Sequence, residues 1–217
     1  MHKVPTFSKG GVHPDDKKVF SRLQPIERIP MPGELVVALS QHLGSPAKAL
    51  KAKGDTVVKG EKIGEASGFI SADVHAPVSG VVKEIRKVTL ANSIVCDALV
   101  ITPDEEQPAD VVESVDWTTL SESELVAKIK AMGIVGMGGA TFPAHVKLTI
   151  PRDKKIDAFV VNGVECEPYL TADYRVMMER ADEALQGALI CAKATRAPRV
   201  IIGVELNKKD AIEHLKA

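Results

Sequence analysis

Gly133-Ile134-Val135-Gly136-Met137-Gly138-Gly139-Ala140-Thr141-Phe142-Pro143-Ala144-His145-Val146-Lys147 is the stretch on which the reading of this 217-residue chain turns. Glycines crowd its first half, an aromatic residue and a proline follow, and a lysine closes it. Glycine frees the backbone to take positive φ angles and lets a ligand approach the amides without meeting a Cβ. The run therefore reads as a binding loop, with a mobile turn between two elements as the plain alternative. It is not a Walker A loop, because no Gly-Lys-Ser/Thr follows the glycines. Nor is it the ordinary dinucleotide fingerprint: Thr141 stands where the third glycine would be, and a helical pattern precedes it instead of a strand.

That preceding helix is well signalled. Ser121-x-x-Glu124 predicts a capping box, Leu125, Ile129 and Met132 recur at helical spacing, and Gly133 supplies the left-handed residue that ends the helix. Downstream, Asp157–Asn162 predicts a strand running into a second signature, Asn162-Gly163-Val164-Glu165-Cys166-Glu167-Pro168. One long helix is expected from about Thr171 to Thr195, packing through Met177, Ala181, Ala184, Leu185, Ala188 and Ala192. A strand at Arg199–Val204 and a last helix capped by Asn207-x-x-Asp210 complete the pattern. Strand, helix, strand, helix implies a parallel sheet with a right-handed crossover, a Rossmann-like α/β domain. Ligands of such sheets sit at the carboxyl ends of strands, where Asn162 to Glu167 lies.

Towards the amino terminus the pattern is different. Residues 1–34, with Gly10-Gly11-Val12-His13-Pro14 and then Pro25, Pro30 and Pro32, read as an extended arm. Residues 35–102 carry short β-like runs about every eight to twelve residues, the spacing of a small all-β domain. The expected strands are Leu35–Leu39, Thr56–Val58, Lys62–Gly64, Asp73–Ala76, Gly80–Ile85 and Ala98–Ile101, with tight turns at Lys53-Gly54-Asp55 and Lys59-Gly60-Glu61. Gly54-x-x-Val57-x-x-Gly60-x-x-Ile63-Gly64 followed by His75-Ala76-Pro77-Val78-Ser79-Gly80 resembles the biotinyl and lipoyl carrier fold, a barrel-sandwich. Phe69 occupies the place of the carrier's modifiable lysine, so covalent biotin or lipoate is not expected. Pro103-Asp104-Glu105-Glu106-Gln107-Pro108 opens a solvated linker, 103–119, and the α/β domain is expected over 120–217. The fold class is thus α/β plus all-β.

Composition narrows the function. A net charge of -1 gives no broad electrostatic footprint for nucleic acid. No apolar run reaches the ~18 residues of a membrane span, and Met1-His2-Lys3-Val4-Pro5 opens no signal peptide, so a soluble, intracellular chain is expected. Cys96, Cys166 and Cys191 are too widely spaced for a metal or cluster motif; Cys96 and Cys191 read as packing residues. No Ser/His/Asp order or His-x-x-x-His supports a hydrolase, and neither a catalytic nor a metal-ligating set is assigned.

The two signatures suit a flat anionic cofactor. Loop amides around Gly136, Gly138 and Gly139 offer neutral donors and Lys147 a mobile cation, while Phe142 offers a ring face. Asn162 can donate and accept at the rim of a heterocycle, and Glu165 and Glu167 can accept from ribose hydroxyls. On an extended segment these glutamates point the same way, and on a turn they diverge.

Gly133-x-x-Gly136-x-Gly138-Gly139-Ala140-Thr141-Phe142-Pro143-x-x-x-Lys147-Leu148, the second signature continued through Tyr169-Leu170-Thr171, and Thr6-Phe7-x-x-Gly10-Gly11-Val12-His13-Pro14 together resemble the RnfC family of Rnf electron-transport complexes. More distantly the chain is similar to the flavin-bearing NADH-binding subunit of respiratory complex I. The resemblance implies FMN held by Gly136, Gly138, Gly139, Lys147, Asn162 and Glu165, with NADH as substrate facing Phe142 and Glu167. It implies hydride transfer between NADH and FMN, single-electron exchange with 4Fe-4S clusters, and ferredoxin as an indirect partner. It also implies a peripheral place on the cytoplasmic face of the cell membrane among the other subunits of the Rnf complex. Met137 replaces an arginine, and Val164 an aspartate, of the complex I relatives. RnfC proteins continue into a β-grasp portion and a ferredoxin-like cluster domain, whereas this chain stops at Ala217, so it reads as an amino-terminal fragment with weak or no FMN binding of its own. A cobalamin reductase of propanediol-using microcompartments and a non-catalytic docking scaffold are the rival readings.

Overall fold

The computed structural model describes residues 14–108, 115–137 and 139–216. The amino-terminal Thr6 to His13 motif, part of the expected linker and Gly138 lie outside the described residues. By internal contacts the chain divides into two compact units. One comprises Ile29–Phe159 with Ile190–Arg199; the other comprises the described residues up to Arg28, Val160–Leu189 and the chain from Val200.

The first unit is built on β1 (Leu35–Ala38), β2 (Lys48–Ala49), β3 (Thr56–Val57), β4 (Lys62–Glu65), β5 (Val74–His75), β6 (Gly80–Thr89) and β7 (Val95–Pro103). Two antiparallel sheets form, one in the order β1-β7-β6-β3 and one in the order β2-β4-β5. Gly54 and Gly60 have φ of +92° and +83°, and the two turns repeat one design. In each, the acid after the glycine folds back: Asp55 Oδ2 accepts from Ala52 N–H at 2.8 Å and Glu61 Oε2 from Val58 N–H at 3.0 Å. The core between the sheets holds Ile63, Val82, Leu99 and Ile101, all fully buried. Each such side chain contributes about 1.5–3 kcal/mol relative to an exposed one. Ala98 to Ile101 are buried without interruption, as in a strand covered on both faces.

Several sequence expectations need correction in this unit. β6 and β7 run well beyond the apolar stretches that signalled them, because their paired outer ends, Lys87 opposite Asp97 for example, are polar and solvated. The short β2 carried no β-like pattern at all, both its residues being exposed. Gln107 ties the start of the acidic segment to the barrel, its amide accepting from Ser79 N–H at 2.8 Å and donating to Ser79 O at 3.0 Å.

Still in this unit, α1 (Glu122–Ala131) starts with the capping box that the sequence predicts, Ser121 N–H donating to Glu124 Oε2 at 2.8 Å. Leu125 and Ile129 are buried, but Met132 is 67% exposed, because the helix has reached its cap there. A short α2 (Ala144–Leu148) follows the glycine loop.

In the second unit, β8 (Phe159–Gly163) pairs with β9 (Val200–Val204). Phe159 bonds to Arg199 at one end and Gly163 abuts Gly203 at the other, so the strands are parallel. The crossover is not one helix but two, α3 (Ala172–Glu179) and α4 (Ala181–Thr195), because Arg180 leaves the helical region at φ -137°. That break turns Ala184 out to solvent, whereas Met177, Ala188 and Ala192 are buried as expected. Asn207 does not cap the last helix; it sits inside a 3-10 turn, Leu206–Lys208, that leads into α5 (Lys209–Lys216). Tyr174, Met177 and Ala211 pack α3 against α5. Among the described residues no helix is long and apolar enough to cross a membrane, and no cluster of His, Cys, Asp or Glu forms a metal site.

Candidate functional site

The glycine loop is held at its base and open at its tip. Gly133 has φ +65°, and a Cβ there would lie 2.2 Å from the carbonyl oxygen of Asp73, so the helix end can seat against β5 only with glycine. Val135 bridges Pro143, Gly136 N–H donates to Phe142 O and Ala144 N–H to Ile134 O, each bond 2.9 Å, so residues 134–136 run antiparallel to 142–144. At the loop's tip Met137 is 88% exposed and Gly139, at φ +81°, has open space where a Cβ would be.

Lys147 reaches over this loop from α2. Its Nζ lies 2.9 Å from the point a Cβ on Gly136 would occupy, so only glycine leaves room for the ammonium. Among the described residues Lys147 makes neither a hydrogen bond nor an ion pair. Phe142 is half-buried, pinned by the buried Pro143. The structure thus brings the Lys147 ammonium to the backbone of Gly136 and Phe142, a cation over a bare stretch of main chain. His145, one turn before Thr149, is buried, and desolvation, helped by the charge on Lys130, holds its imidazole below the usual value.

The second signature forms its own cluster at the carboxyl end of β8. Asn162 is exposed and its Oδ1 accepts from Val164 N–H at 3.1 Å, turning the chain out of the strand. Glu165 and Glu167 then diverge. Glu165 is 6% exposed and turns inward, Oε1 accepting from Asp173 N–H in the first turn of α3 at 2.6 Å. Its Oε2 is buried with no hydrogen-bond partner and lies 3.8 Å from the ammonium of Lys208, which is itself buried and bonded to Glu205 at 2.6 Å. Glu167 stays exposed. Cys166 between them is an exposed free thiol, whereas Cys96 is buried and burial pushes the Cys191 thiol up.

Two residues here escaped the sequence reading. Lys208 sits in Asn207-Lys208-Lys209-Asp210, which looks like a solvated charge run, and Lys18 sits in the arm. Their burial depends on which segments fold over them, and no local pattern reports that.

Comparison with known families matches residues 6–106 to the RnfC barrel sandwich hybrid domain and residues 129–217 to the Nuo51 FMN-binding domain. The chain joins an RnfC barrel-sandwich domain to a Nuo51-type FMN-binding domain. The RnfC resemblance of the sequence motifs and the two-part fold class therefore both hold. Similar curated proteins include the C component of the proton-translocating ferredoxin:NAD(+) oxidoreductase complex of Clostridium ljungdahlii, 44% identical over 96% of this chain and 46% of the relative. The Na(+)-translocating counterpart of Acetobacterium woodii is 40% identical over 95% of this chain and 47% of the relative. The C component of the ion-translocating oxidoreductase complex of Rhodobacter capsulatus is 38% identical over 98% and 42%. The chain spans less than half the length of these curated relatives.

The residues present fit FMN on this structure's own geometry. Among the described residues Lys147 is a cation with no hydrogen bond or ion pair, and Gly136 leaves the space beside it, an arrangement suited to an anionic group.

Proposed function

We propose that this chain is the FMN- and NADH-binding module of an ion-translocating ferredoxin:NAD oxidoreductase, peripheral to the membrane complex on its cytoplasmic face. The observation that carries the reading is the unpaired Lys147 ammonium over the space left by Gly136, in the segment matched to an FMN-binding domain. FMN, when bound, supplies the hydride chemistry with NADH and passes electrons on singly. The chain's own groups bind and orient. Lys147 neutralises an anionic part of the cofactor, and Gly136, Gly138 and Gly139 let it come close to the loop backbone with no Cβ of their own in the way. Asn162 addresses its rim, while Phe142 and Glu167 serve NADH through ring stacking and acceptance from ribose hydroxyls; Glu165, turned inward onto the Asp173 amide and Lys208, holds the chain after β8 in place. Iron-sulfur clusters, ferredoxin and the other Rnf subunits belong to the whole complex. The domain limits 35–102 and 120–217, with an arm before and a linker between, are part of the same proposal.

The test is titration of FMN into the 217-residue chain, read by flavin fluorescence up to millimolar concentration, beside Lys147→Ala. Weak saturable binding that the substitution reduces supports the proposal. Identical curves for the two proteins refute it.

A further inference from the structure

The arm ends in a built site. Lys18 begins a 3-10 turn, Lys18–Phe20, and although it lies in a charged, proline-rich segment it is only 7% exposed. Its Nζ donates to the carbonyl oxygens of Leu170 at 2.7 Å and Glu167 at 3.1 Å. An ammonium out of water is tolerated only when its donors are used, and here two backbone oxygens of one turn use them. Three further bonds join the same pieces. Tyr169 N–H donates to Asp16 O at 2.8 Å, Ser21 Oγ donates to Tyr169 O at 3.1 Å, and Thr171 Oγ1 donates to Ser21 Oγ at 2.8 Å.

The turn so gripped is one that would not hold itself. Tyr169 stands at φ +69°, a region that residues with side chains avoid, and the ring of Phe20 stacks on it at 6.3 Å and 13° between planes. Farther along the arm, Arg22 pairs with Asp210 at 2.7 Å and lies over the Tyr174 ring, fixing the strap to α3 and α5. Lys18 therefore ties Glu167 to Leu170 across the turn, and this turn carries the exposed Glu167 carboxylate.

We propose that Lys18 is a positioning residue for dinucleotide recognition, clamping the 167–170 turn so that Glu167 presents its carboxylate to ribose hydroxyls. The proposal rests on the reading of the chain as an FMN- and NADH-binding module. Lys18 touches no ligand itself; it acts through Glu167.

The experiment compares the chain with Lys18→Met, Glu167→Gln and the double variant, with Ser21→Ala as a milder loosening of the same strap should Lys18→Met not fold. NADH affinity of the FMN-loaded protein is read by NADH fluorescence, FMN affinity by flavin fluorescence, and amide hydrogen exchange over residues 167–171 by mass spectrometry. The expected result is faster exchange in that turn, NADH binding weakened roughly ten-fold, the loss of about one charged hydrogen bond, and FMN binding little changed. In the Glu167→Gln background Lys18→Met should cost no further NADH affinity, which a general structural role would not predict. Unchanged NADH affinity, or an equal loss in both backgrounds, overturns the proposal. If the unsubstituted chain binds neither FMN nor NADH, the functional reading and the dinucleotide role fall together, and the exchange rates then decide the clamp alone, unaltered rates overturning it too.

Discussion

The ammonium of Lys147 ends 2.9 Å from the point where a Cβ on Gly136 would stand, so the two residues share one small space and only glycine leaves it to the lysine. Gly136→Ala should displace the lysine tip, a flexible group, and leave stability within about 1 kcal/mol of the original protein. Flavin affinity should fall in both Gly136→Ala and Lys147→Ala. For Lys147→Ala the loss of a charged hydrogen bond is worth roughly 1.5–3 kcal/mol of binding. Calorimetric titration with FMN, alongside urea unfolding of each variant, separates the two effects.

Gly133 and Gly139 both have positive φ, yet they should respond differently to alanine. Gly139 meets nothing within 4 Å of a Cβ, so Gly139→Ala carries only the left-handed backbone penalty, about 1–2 kcal/mol. Gly133→Ala adds a clash with the Asp73 carbonyl at 2.2 Å, backbone against backbone, and should be clearly the more destabilising. Urea midpoints read at one pH would decide it; equal midpoints would mean that α1 does not seat against β5 as described.

The inward turn of Glu165 makes it half of a buried pair. Lys208→Met strands the carboxylates of Glu165 and Glu205, and breaking a buried pair from one side costs about 3–5 kcal/mol. Glu165→Gln keeps an acceptor for the Asp173 amide and leaves Lys208 its bond to Glu205, so its cost should be smaller, about 1–3 kcal/mol. The double variant should cost less than the sum, and additive losses in a double-mutant cycle would deny the coupling.

His145 gives the fold a pH dependence. Burial, then Lys130, lower its folded-state value, while the unfolded imidazole takes up its proton near ~6.5. The unfolded chain therefore binds more protons between the folded value and ~6.5, so this contribution is whole above ~6.5 and is lost as pH falls through that window. His145→Leu should flatten the dependence of the urea midpoint between about pH 7 and pH 5, where the imidazole titrates. A slope identical to that of the unsubstituted chain would show that His145 does not carry it.

Much of the fold was legible because it is written in local chemistry. Ser121 and Glu124 cap a helix through atoms three residues apart, and Gly54 and Gly60 mark turns whose next residue, Asp55 or Glu61, closes them. Periodicity failed where local and distant preferences part. The residues from Thr171 to Thr195 keep a helical period, yet Arg180 breaks the helix, and nothing in that period anticipates the break. Lys48–Ala49 form a strand by pairing with Glu65 and Gly64, a partner that their own sequence does not name.

For the candidate site, the sequence alone determined the residue types: a glycine loop closing on Lys147, and an acidic run after a strand, because these properties belong to the backbone freedom and ionisable groups of each segment. Only the tertiary structure decided which glutamate turns inward and which stays out, and that Lys18 and Lys208 leave solvent. The physical reason is that burial and pairing are set by segments far apart in the chain. An ammonium counts as solvated or as structural only once the carbonyls and carboxylates around it have been brought within hydrogen-bonding reach.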